Sequence, residues 1–134
     1  MERMNKTILL IAADSAAEVY SEVLMGEGYD VHVVEDEHQC RNALASRSFD
    51  LVISTNLNIV SGLPYEIVPV IRRARPHIPI LVISGYHPEG YLEELIKKGA
   101  DCTMKALHTV DQLREKVKEL LRSTQHVQKD DANG

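Results

Sequence analysis

Ile78-Pro79-Ile80-Leu81-Val82-Ile83-Ser84 is apolar at every position but the last. A strand with one face in water alternates apolar with polar residues. This run does not, so it reads as a strand covered on both faces, as in parallel sheets. Two more runs share the habit, Thr7-Ile8-Leu9-Leu10-Ile11-Ala12 and Asp50-Leu51-Val52-Ile53-Ser54. Asp30-Val31-His32-Val33-Val34 and the weaker Asp101-Cys102-Thr103-Met104 complete a set of five strand candidates.

Helical patterns fill the gaps. Ser15-Ala16-Ala17-Glu18, Asp36-Glu37-His38-Gln39 and Thr109-Val110-Asp111-Gln112 each place a short oxygen side chain three residues before Glu or Gln, the signature of a helix start. After Thr109, the residues Val110, Leu113, Val117, Leu120 and Leu121 form one apolar stripe, with Arg114, Lys116, Lys118 and Glu119 opposite. Gly26, Gly28 and Gly99 stand where helices stop, and His87-Pro88-Glu89 reads as a start with Pro in the first turn. Pro64 and Pro69 fall in the third helical segment; Pro69 lacks the N–H that would bond back to Tyr65, so that helix is expected to start late or kink. Strand followed by helix, five times over, requires right-handed crossovers and a doubly wound α/β sheet with helices on both faces.

The chain has 134 residues, enough for one domain and too few for two. Its 44% apolar content with interspersed charges is that of a globular protein. A net charge of −5 argues against direct nucleic-acid or anionic-membrane binding, and the cluster Arg72, Arg73 and Arg75 reads as a solvated face. Cys40 and Cys102 lack metal or redox spacing and read as free buried thiols; His38, His77, His87 and His126 read as surface residues. No apolar run reaches membrane-spanning length and Met1 to Lys6 does not lead into a secretory segment, so the expected location is cytoplasmic. Residues 1–5 read as an N-terminal extension, 6–122 as the domain, and 123–134, polar and without periodicity, as a flexible tail or linker.

From about Lys6 to Arg122 the chain resembles the CheY-like receiver domain of two-component response regulators. The likeness rests on Phe49-Asp50-Leu51-Val52-Ile53-Ser54, on Arg75-Pro76-His77-Ile78-Pro79-Ile80-Leu81-Val82-Ile83-Ser84-Gly85 and on Lys98-Gly99-Ala100-Asp101. It implies a flavodoxin-like sheet of order 2-1-3-4-5 with its site at the carboxyl ends of the strands. In that family an acidic pair after the first strand holds Mg²⁺, an Asp ending the third strand accepts phosphate, and a Ser/Thr and a Lys flank it. Magnesium requires oxygen ligands, and the metal offsets charge on the transferred group.

Here the acidic-pair positions match Ala12 and Ala13, with Asp14 one place too late. The acceptor position matches Asn56 counting back from Glu66, or Thr55 counting forward from Asp50, and neither is Asp. Ser84 and Lys105 keep the flanking hydroxyl and ammonium, with Asp14 beside them as residual pocket residues; the aromatic switch position matches Thr103 and has lost its ring. The resemblance therefore implies a degenerate receiver: not an enzyme, with no cofactor or metal, acting by phosphorylation-independent protein interaction. The implied partner is a signalling protein or output domain, or a second copy in a homodimer. By family habit the contact face includes Tyr91, Leu92 and Leu107. Two alternatives stand beside it, a receiver that still switches through Thr55 or Ser84, and a flavodoxin-like cofactor binder or small α/β enzyme. Ala12-Ala13-Asp14-Ser15-Ala16, the first turn, has no Gly to admit a phosphate.

Overall fold

The computed structural model describes residues 5–56, 63–85, 90–106 and 108–133. Five strands, β1 (Thr7–Ile11), β2 (Asp30–Val34), β3 (Leu51–Asn56), β4 (Ile80–Ser84) and β5 (Cys102–Lys105), alternate with five helices. These are α1 (Asp14–Gly26), α2 (Glu37–Ser46), α3 (Leu63–Ala74), α4 (Tyr91–Lys98) and α5 (Val110–Asn133). All pairings are parallel, in the order β2-β1-β3-β4-β5. The strand–helix alternation gives this doubly wound plan, and the order is the one that the receiver resemblance implies.

The unbroken apolar runs follow from two separate cores. Leu9, Ile11, Val52, Ile80 and Val82 pack beneath α2, α3 and α4 against Cys40, Leu44, Ile67, Ile71 and Leu95. Ile8, Leu10, Leu51, Ile53, Leu81 and Ile83 face α1 and α5 against Tyr20, Leu24, Leu113 and Val117. Each central strand thus spends both sets of alternating side chains on burial, worth roughly 1.5–3 kcal/mol per large side chain. Of the two free thiols, Cys40 is buried and Cys102 only half-buried.

Two of the three helix starts form as read. Gln39 N–H donates to Asp36 Oδ1 at 2.8 Å, while Gln39 Oε1 reaches back to Glu35 N–H at 2.7 Å. Thr109 and Gln112 exchange both bonds, at 2.8 and 3.0 Å, a complete capping box. Ser15 does not cap. The helix begins two residues earlier, with Ala13 as an N-cap that offers no side-chain acceptor. α4 is entered through Gly90, whose φ of 83° suits only glycine well, and His87, Pro88 and Glu89 lie outside the described residues. α3 begins at Leu63 with Pro64 in its first turn, where a missing N–H is harmless, and continues across Pro69.

The arginine cluster is not a uniformly solvated face. Arg72 turns inward and donates from Nε and Nη2 to Gly99 O (3.1 and 2.6 Å), from Nη1 to Pro76 O and Ile78 O (2.9 and 2.7 Å), and from Nη2 to Asp101 Oδ2 (2.7 Å). Arg75 donates to Ala74 O and Leu44 O, so it satisfies carbonyls where α2 and α3 end. Arg41, Arg73 and Arg75 then line a shallow groove of about 370 Å³ at these two carboxyl ends, where cations offset the helix dipoles. α5 runs on past Arg122 as far as Asn133. Gln, Lys and Ala tolerate a helix well, and a helix once nucleated adds one hydrogen bond for each further residue it fixes.

Candidate functional site

The carboxyl ends of β1, β3, β4 and β5 gather most of the residues singled out in the sequence. Ala12 follows β1, is 4% exposed, and donates its N–H to Val34 O at 3.0 Å. Ala13 follows in extended geometry as the cap of α1, and Asp14 is the first residue of that helix. Ala12 and Ala13, the residues that the receiver resemblance sets at the acidic-pair positions, offer only methyl groups at this end of β1. Among the described residues no group of three or more His, Cys, Asp or Glu is placed to hold a metal ion. This donor set does not fit a hard, oxygen-seeking cation such as magnesium.

On β3, Ile11 pairs with Ser54, so Thr55 comes next to Ala12 in the following row. Thr55 is 8% exposed, and its Oγ1 donates to Ile11 O at 3.1 Å. Across the next rung Asn56 pairs with Ser84, and Ser84 with Lys105. These three positions therefore form one lateral row of the sheet. Ser84 is fully buried, Lys105 exposed, and Ala106 N–H donates to Ser84 O at 2.8 Å, extending the pairing one residue past β5. Thr103 lies lower on β5 opposite Val82 and is half-buried.

The expected contact face is less accessible than its sequence implies. Tyr91 and Leu92 are half-buried against the α2–α4 core, while Ile96 is the exposed large apolar residue of α4, and Leu107 lies outside the described residues. Beside it, Met104, Lys105, His108, Gln112, Glu115 and Lys116 contribute to a groove of about 570 Å³ between β5 and α5. No helix is long and apolar enough to cross a membrane among the described residues.

Two residues of this region carry no signal in the sequence. Tyr20 of α1 and His108, just before α5, stack with centroids 5.9 Å apart and planes at 29°. The Tyr20 hydroxyl lies 3.4 Å from His108 Nε2, and His108 Nδ1 lies 2.9 Å from the Lys105 carbonyl oxygen. Burial raises the pKa of the Tyr20 phenol, keeping its proton on.

The response regulator receiver domain model matches residues 9–118. The chain belongs to this family. Among curated relatives, the DNA-binding transcriptional regulator NtrC of Rhizobium meliloti (strain 1021) is 29% identical over 99 residues, covering 72% of this chain and 20% of the relative. The receiver domain thus spans about a fifth of the length of that relative. The CheY-like receiver domain protein from Methanospirillum hungatei JF-1 superposes with a TM-score of 0.81 at 22% identity, over 91% of this chain and 98% of that one. NtrX from Brucella abortus gives a TM-score of 0.87 at 18% identity, over 98% of this chain and 30% of that one. At these identities the solved structures speak for the receiver fold alone.

Proposed function

We propose that this receiver domain signals by protein contact without accepting phosphate. The observation that carries the reading is the Thr55–Ile11 bond beside two alanines. A Thr hydroxyl becomes a nucleophile only when an adjacent base removes its proton. Here the proton is directed at a backbone carbonyl, which accepts a hydrogen bond but takes no proton away. Burial of Thr55 and Ser84 further opposes their use as unconventional acceptors, since a phosphoryl donor must reach the oxygen.

The geometry of β3 favours Thr55 over Asn56 as the acceptor position. Asp50 fixes the start of the count: its Oδ2 accepts from Thr7 N–H and its own N–H donates to Thr7 O, both at 2.8 Å. From there β3 is paired without a break from Val52 to Asn56. The count back from Glu66 instead crosses residues 57–62, which lie outside the described residues.

The relative's description as a DNA-binding regulator, together with the net charge of −5 here, supports a role in a signalling assembly whose nucleic-acid contacts belong to another domain or polypeptide. The partner is then a signalling protein, an output domain or a second copy. Incubation with acetyl phosphate and Mg²⁺ followed by intact-mass measurement tests the central point. The mass is expected to stay unchanged; a stoichiometric gain of one phosphoryl group would overturn the reading and establish an unconventional acceptor.

A further inference from the structure

We infer that Tyr20 and His108 form a latch that fixes Lys105 and the entry to α5 from inside the domain. A carbonyl oxygen only accepts, so the 2.9 Å contact to Lys105 O requires the proton on His108 Nδ1. In a neutral imidazole Nε2 is then an acceptor, and the Tyr20 hydroxyl is the donor that meets it. The three groups form a directed chain, from Tyr20 O–H to His108 Nε2 and from His108 Nδ1–H to the backbone of Lys105.

Its anchor is firm. Tyr20 is 7% exposed and packs among Leu24, Leu113 and Val117, so its hydroxyl is held by the core and not by the loop it contacts. At the other end, Ala106 N–H is bonded to Ser84 O and Thr109 caps α5. His108 bridges these two fixed points. It thereby sets where Lys105 sits at the rim of the sheet and shapes one wall of the groove with Met104, Gln112 and Lys116. A groove ordered in advance loses less entropy when a partner docks. The latch goes beyond the phosphorylation reading and does not depend on it.

The test is amide hydrogen exchange on the intact domain, with ¹⁵N NMR of the His108 ring. Neutral His108 is expected to carry its proton on Nδ1. His108→Ala should speed exchange at Ala106 and Thr109 about five- to tenfold, with Tyr20→Phe, which keeps the stacked ring and removes only the donor, giving a smaller rise. Exchange in β1 and β3 should not change in either variant, whereas a purely global loss of stability would raise it everywhere. A proton found on Nε2, unchanged exchange at both amides, or a uniform rise across the sheet would each overturn the latch. None of these outcomes bears on whether the domain takes up phosphate.

Discussion

The Thr55 hydroxyl ties the end of β3 to the Ile11 carbonyl of β1 at 3.1 Å, in the row that contains buried Ala12. Restoring acids here should therefore cost stability in the absence of metal. Two carboxylates about 4 Å apart repel by roughly 4 kcal/mol at an effective dielectric of 20, before solvent reduces it. The triple variant Ala12→Asp, Ala13→Asp, Thr55→Asp is expected to unfold at lower urea than the parent and to recover part of the loss on adding Mg²⁺. An unchanged midpoint in EDTA would remove the argument from charge crowding.

Arg72 is the staple between α3 and the approach to β5. Its guanidinium serves the carbonyls of Gly99, Pro76 and Ile78 and the Asp101 carboxylate, which also accepts from Ile80 N–H at 2.7 Å. Arg72→Lys keeps the charge but not the planar fork, and is expected to lower unfolding free energy by about 1–3 kcal/mol. Gly99→Ala should be damaging for a separate reason. Its φ is +128°, and an added Cβ would lie 3.2 Å from Arg72 Cγ. Denaturant titration of both variants would check this; a neutral Gly99→Ala would mean the approach to β5 relaxes freely.

The helix caps give a pair of opposite predictions. Thr109→Ala removes an acceptor used by Gln112 N–H and should cost about 1 kcal/mol. Ala13 is an N-cap in extended geometry with no side-chain bond, so Ala13→Ser should add about 1 kcal/mol. Thermal melts that move both variants in the same direction would contradict the assignment.

How much of this was legible beforehand depended on whether the cause was local. The run Asp30–Val34 became β2 with the same bounds, and the Asp36–Gln39 and Thr109–Gln112 caps formed as read, because strand-forming runs and capping are decided within a few residues. Ser15 failed as a cap because the chain leaves β1 directly into α1 at Asp14, a consequence of sheet geometry. Arg72 was misread because its partners, Gly99 and Asp101, lie 27 and 29 residues away. The Tyr20–His108 contact spans 88 residues and has no periodic or spacing signature at all.

Cys40 offers a prediction in which the sign is decided by burial. It is fully buried on the α2 face of the core, and its thiol is pushed up to about 11, chiefly by desolvation and then by the Glu37 carboxylate, with Arg41 pulling the other way. Cys102 is half-buried. At pH 8 a thiolate-specific reagent should therefore modify a single thiol of the native domain, Cys102, and both thiols in denaturant. The same shift makes stability pH-dependent. In the folded chain the Cys40 thiol keeps its proton above the ordinary thiol value of 9.0, whereas the unfolded chain releases it there. Between about pH 9 and 11 the folded state binds more protons, so stability contributed below pH 9 is progressively lost as pH rises. Tyr20 and Tyr29, both raised by burial, add to the alkaline decline, so the contribution of Cys40 must be isolated by substitution. Cys40→Ala lowers stability at neutral pH through the cavity it leaves, yet its unfolding free energy should fall less steeply over this range than that of the parent. Parallel slopes for the two proteins would show that Cys40 ionises alike in folded and unfolded chains.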